Sequence, residues 1–187
     1  MPQSGAVSTI ELSVDDIAQI YESLDPYPFH ERDLDRDAEE YIVGWARELP
    51  RDHAFRILVH VPEAALSTPG AVDLGRSMNR FFALRAEVIS RDLRELFRIG
   101  RMSLVIGVLV LAVCVAGAQY ADVLLGEGPL VTVTRESLLI LGWVANWRPL
   151  EIFLYEWWPI ARRRNLYRRL SSANVELRPA RPITAQA

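Results

Sequence analysis

Met102-Ser-Leu-Val-Ile-Gly-Val-Leu-Val-Leu-Ala-Val-Cys-Val-Ala-Gly-Ala-Gln-Tyr-Ala-Asp-Val-Leu-Leu125 is the stretch on which the fold turns. Its one ionisable acid, Asp122, lies close to its far end. A helix that crosses the hydrocarbon core of a bilayer needs about 20 apolar residues, and this run supplies them. A core helix of a soluble domain would show a polar face, and none is visible here. The run lies beyond residue 100, so it does not read as a secretory leader.

A second apolar stretch covers about 137–160, interrupted by Asn146, Arg148, Glu151 and Glu156. Arg91, Arg94, Arg98 and Arg101 precede the first run, and Arg162, Arg163, Arg164, Arg168 and Arg169 follow the second; only Arg135 lies between. Basic flanks stay in the cytoplasm, which demands an even number of crossings. The expectation is therefore a transmembrane hairpin over 101–160, with spans at about 102–125 and 137–160. Both ends of the chain are then cytoplasmic. Trp157 and Trp158 would anchor the interface. The competing geometry is a hairpin that dips in without crossing, or a helix lying in the interface.

Arg148 then falls in the middle of the second span. A charge at that depth costs at least ~2.5–3.5 kcal/mol and needs a partner. On a helix, Glu151 and Tyr155 share its side, and Pro149 frees nearby carbonyls. Asn146, Arg148, Glu151 and Tyr155 form an expected intramembrane polar seam, with Asn146 turned roughly the opposite way, which favours contacts on two faces and hence an oligomer. In the first span, Ala112, Val113, Ala116, Gly117 and Gly107 are small residues suited to close packing against the second. Cys114, the one cysteine, reads as a small hydrophobe there.

Residues 9–100 read as a small cytoplasmic α+β head of order β-α-α-β-α, after a disordered start at 1–8. Thr9–Val14 alternates like a half-buried strand. Ser13-Val-Asp-Asp16 resembles a capping box that starts a helix through Ile17, Ile20, Tyr21 and Leu24. Asp25-Pro-Tyr-Pro-Phe29 ends it in a rigid turn. A second helix covers 33–49, and Phe55–Val61 is the clearest strand. From Asp73 a long apolar stripe begins, and neither Gly100 nor Arg101 is a strong break. One helix is expected to run from about 73 to about 124, making the first span continuous with the last helix of the head. Residues 161–187 read as a basic tail, mostly disordered beyond 171. A two-stranded sheet is marginal alone and leaves open edges, which points to an oligomer or a partner protein.

The net charge of −3 hides an asymmetry. Residues 1–75 hold 15 acids and 5 arginines, and residues 76–187 hold 9 acids and 16 arginines. The acidic part argues against a nucleic-acid partner. The nine arginines flanking the two apolar runs form a collar suited to anionic lipid headgroups. The chain has no lysine, which reads as genomic base composition.

Enzyme signatures are absent from the sequence. Asp33, Asp35 and Asp37 open like a calcium loop, but Ala38 and Gly44 stand where Gly and Glu are required. His30, His53 and His60 lack ligand spacing. No nucleophile elbow, phosphate loop or dinucleotide fingerprint occurs. No metal or cofactor is expected.

Asp25-Pro-Tyr-Pro-Phe-His-Glu-Arg-Asp-Leu-Asp-Arg-Asp-Ala-Glu-Glu-Tyr41 and Trp147-Arg-Pro-Leu-Glu-Ile-Phe-Leu-Tyr-Glu-Trp-Trp-Pro159 resemble a group of uncharacterised small bacterial inner-membrane proteins. The resemblance implies a bacterial membrane location and no activity. The expected function is interaction, as an oligomeric scaffold or accessory subunit of a membrane complex. The alternative is a small channel or transport subunit using Arg148 and Glu151.

Overall fold

The computed structural model describes residues 6–21, 33–50, 52–126 and 128–180. The Asp25–Phe29 turn and His30 lie outside them. The chain divides into two compact units, one of residues 1–88 with 163–187 and one of residues 89–162.

The first unit is built on a three-stranded parallel sheet of order β1-β2-β3, with β1 at Val7–Ser13, β2 at Ala54–Val61 and β3 at Asn174–Pro179. The register aligns Ile10, Ile57 and Val175, then Leu12, Val59 and Leu177. Partners across a ladder share a face, so these residues form the apolar side. Helix α1 (Arg36–Glu48) makes the crossover between β1 and β2. Asp35 caps it by accepting from the Asp37 N–H at 2.9 Å, which satisfies one of the orphan donors of the first turn. Ile42, Val43 and Ala46 of α1 are buried, as are Leu74, Met78, Phe81 and Phe82 farther on.

Three expectations for this unit fail. The helix expected from Asp16 is a single 3-10 turn, Ile17–Ile20, capped by the Asp16 side chain on the Ala18 N–H. It stops because Tyr21 is drawn into an antiparallel bridge with Leu34, while its hydroxyl pairs with Ser77 Oγ in the interior. Tertiary bonds outweigh local helix preference here. The tail expected to be disordered contributes β3, and the start expected to be disordered contributes Val7 and Ser8 to β1. The sheet thus gains a third strand, and β2 becomes its centre.

Helix α2 runs without interruption over Pro69–Leu125, 57 residues. It contains a helix long and apolar enough to cross a membrane, and 17% of its most apolar window is buried. Gly126, at φ +75°, turns the chain, and Pro129 opens α3 (Pro129–Val144) at its first turn, where the missing N–H costs nothing. The expected single span at 137–160 is not one helix. Helix α3 starts earlier and ends at Val144; α4 (Trp147–Glu151), a π turn (Ile152–Glu156) and α5 (Trp157–Leu170) follow.

Candidate functional site

The second unit is a hairpin in which α2 meets α3, α4 and the π turn in antiparallel order. Leu138 lies at Gly117, Gly142 at Leu111 and Cys114, Asn146 at Gly107, and Ile152 at Gly100. A Cβ on Gly107 would come 2.7 Å from Asn146 Oδ1, and one on Gly100 would come 2.9 Å from Ile152 Cγ2. The glycines let the facing chain approach the α2 backbone. Cys114, Ala118 and Ala121 continue the buried seam. The seam is rotated from the expected one: Ala112, Val113 and Ala116 are exposed. Closest approach at Gly107 and Gly100 fixes the rotation.

Asn146 is buried and faces its own α2. The α3 helix tightens at its end, where the Asn146 N–H bonds Trp143 O. That leaves the Gly142 carbonyl without its usual donor four residues on. The Asn146 side-chain amide donates to it at 2.9 Å and to Gly107 O at 3.1 Å. Pro149 has no N–H for the Ala145 carbonyl, which lies against Gly107. One amide therefore closes the helix break and ties it to α2.

Arg148 lies between the level of Gly107 and the level of Gly100. That puts it within about 6 Å, along the axis, of Arg101. Gly142, facing Leu111, is level with the middle of the charge-free run Met102–Ala121, so Arg148 is not at mid-depth of that run. Its guanidinium, 55% exposed, donates to Glu151 at 3.0 Å, as the three-residue spacing predicts. It also pairs with Glu156, which helical spacing does not place on this face. A π turn takes an extra residue on its circuit. Glu156 therefore has the azimuth of the seventh residue after Arg148 in a regular helix, and Tyr155 is carried off the face. Tyr155 is exposed. No residue type in Ile152–Glu156 announces this wide turn.

The two tryptophans diverge. Trp157 donates its indole N–H to Phe153 O at 2.9 Å and lies 6.3 Å from the Phe97 ring, which also stacks on Phe153. Trp158 is exposed, as are Trp143 and Trp147.

The arginines also divide. In the second unit, Arg91, Arg94, Arg98 and Arg101 line an open groove of about 500 Å³ with Glu95 and Phe97. Arg98 pairs with Glu95 at 3.4 Å, and Arg162 is exposed. In the first unit, Arg168 is exposed, Arg164 donates to Asn165 Oδ1, and Arg163 lies over the Tyr167 ring at 5.7 Å. Arg169 is instead engaged within the sheet unit. It donates to Pro50 O at 2.9 Å and His53 O at 2.8 Å, and its guanidinium sits 4.0 Å from the Phe55 ring centre. Burial lowers its pKa from the ordinary guanidinium value.

On the sheet, the face opposite the apolar side carries Glu11, Arg56, His60, Glu176 and Arg178. They are linked as Arg56–Glu176 at 3.4 Å, His60–Glu11 at 3.3 Å and Arg178–Glu176 at 3.7 Å. Among the described residues no group of three or more His, Cys, Asp or Glu is placed to hold a metal. Comparison with known protein families, with curated proteins and with solved structures finds no match.

Proposed function

We propose that this chain is a membrane-anchored interaction protein, an oligomeric scaffold or accessory subunit of a membrane complex. In this reading the hairpin is embedded in a bacterial inner membrane and the sheet unit lies in the cytoplasm. The outward surface of the hairpin supports the anchor: Leu109, Val113, Leu130, Val133, Ile140 and Trp143 are all exposed, and soluble proteins rarely expose contiguous apolar surface on that scale. The sheet supports two crossings. Strand β3, after the hairpin, pairs with β2, before it, so a chain that crosses at α2 must return. The arginine flanks and the resemblance of 25–41 and 147–159 support the compartment.

The observation that carries the interaction is the sharing of Arg148 by two carboxylates. Within residues 137–157 the charged side chains are Arg148, Glu151 and Glu156. The triad has a formal charge of −1 on a partly exposed face, and a cationic or hydrogen-bonding group of a neighbouring helix complements it. The open polar face of the sheet adds a second surface, since parallel sheets are ordinarily covered on both sides. Transport through Arg148 has less support, because its own chain already satisfies the guanidinium.

The test replaces Arg148, Glu151 and Glu156 together by leucine. The variant should still float with membranes, and its assemblies on a native gel should weaken. Unchanged assembly argues against the triad as the contact. Failure of the parent chain to float removes the anchor itself.

A further inference from the structure

We propose that the groove lined by Arg94, Arg98 and Arg101 holds the phosphate of an anionic phospholipid, whose acyl chains lie along Met102, Val105 and Leu109. The inference rests on the membrane reading above and adds a ligand to it.

The steps from Arg91 to Arg94, Arg98 and Arg101 are three, four and three, so the four guanidinium groups rise on one face of α2. All four are exposed, and with Glu95 and Phe97 they line the open groove of about 500 Å³. Glu95 is the acid in its lining and reaches Arg98 at 3.4 Å; among the described residues Arg94 and Arg101 have no acidic partner. A guanidinium binds a phosphate through two parallel N–H bonds, and several together make a site for a doubly contacted anion.

The same face continues beyond Arg101 as Met102, Val105 and Leu109, every one exposed. Charge gives way to hydrocarbon within a single residue, from Arg101 to Met102. A free phosphate has no use for that continuation, whereas a phospholipid has both ends. The depth agrees independently. Phe97, in the wall of the groove, lies 6.3 Å from Trp157, and Trp157 packs edge-on against exposed Trp158. Tryptophan collects at the headgroup level of a bilayer, so the groove opens where lipid phosphates are.

The experiment uses the full chain in mild detergent, exchanged with phosphatidylglycerol or phosphatidylcholine, and counts retained lipid by native mass spectrometry. The parent should retain phosphatidylglycerol selectively. The Arg94→Gln/Arg98→Gln/Arg101→Gln variant should lose it by about fivefold per arginine, roughly a hundredfold in all. Arg36→Gln/Arg47→Gln/Arg76→Gln removes the same charge from exposed positions outside the groove and should retain the lipid. Equal retention of both lipids, or full retention by the groove variant, overturns the proposal. Displacement of phosphatidylglycerol by millimolar inorganic phosphate overturns it in favour of a free-phosphate site. Vesicle flotation separates the failures: a parent that floats without lipid preference sinks only this proposal, and one that does not float sinks the anchor as well.

Discussion

The side-chain amide of Asn146 reaches across the hairpin to the backbone carbonyl of Gly107 at 3.1 Å, with its Oδ1 filling the space a Cβ at 107 would occupy. The contact places a helix break on one arm of the hairpin against a backbone on the other. Backbone, not side chain, defines the seam at this level.

Gly107→Ala should accordingly push the hairpin apart. A Cβ 2.7 Å from Asn146 Oδ1 and 3.0 Å from Ala145 O meets one backbone atom that cannot swing away. Overpacking of this kind costs about 1–3 kcal/mol. Gly44→Ala is the contrast: nothing lies within 4 Å of its Cβ, and a helical Gly→Ala there should gain about 0.5–1 kcal/mol. Unfolding of both variants in mild detergent titrated with dodecyl sulfate should give opposite signs.

Tyr167 joins three helices of the sheet unit. Its hydroxyl donates to Glu39 at 2.6 Å, and Arg85 holds the other oxygen of the same carboxylate at 3.1 Å. Tyr167→Phe should cost about 1.5–3 kcal/mol, the range for a hydrogen bond to a charged group. Burial, and then the Glu39 bond, raise the phenol's pKa above its ordinary value. The folded chain thus holds this proton more tightly than the unfolded one. Its contribution is complete below about pH 10, the ordinary phenol value, and is lost as pH rises through the folded value. Alkaline denaturation of the parent should steepen above about pH 10, and the phenylalanine variant should lack that component.

Arg169 and its neighbour Arg168 should part company on mutation. Arg169→Gln removes two bonds to carbonyls and a cation held over Phe55, for a loss of about 2 kcal/mol. Arg168→Gln should leave the thermal midpoint of the sheet unit unchanged. Equal midpoints for the two variants would contradict the assignment of Arg169 to structure.

Strand β3 should be indispensable to the sheet. Its Val175 Cβ lies 3.5 Å from the point where a methyl on Gly75 would sit, so strand and helix are in close contact there. Leu177 lies beside Val59 in the ladder. A chain ending at residue 172 should be cleaved by trypsin within residues 6–88 under conditions where the full chain resists. Resistance equal to that of the full chain would show that β1 and β2 suffice.

Long, regular periods make an element legible in the sequence. The alternation around Phe55–Val61 marks β2, and the apolar stripe from Leu74 onward marks α2 across Gly100. Gly100 is a point of close approach to Ile152 and does not break the helix. Strand β3 carries a weaker signal: Val175 and Leu177 alternate with Asn174, Glu176 and Arg178. Six residues among arginines and prolines are too few to stand out without the partner strand. The Arg148–Glu151 pair follows from helical spacing, whereas Glu156 does not, because the π turn changes the spacing itself. Spacing alone turns Asn146 away from the Arg148 side but does not name its partner, the Gly107 carbonyl 39 positions away.

The placement of β3 also fixes an order of events during synthesis. Strand β2 is made early and its last neighbour nearly at the end, with roughly 110 residues of mostly helical chain between them. At about 5–20 residues per second, the ribosome leaves one edge of β2 unpaired for several seconds. During that interval the whole hairpin is synthesised. The sheet closes only afterward, so the globular unit is completed once every residue of the hairpin has already been made.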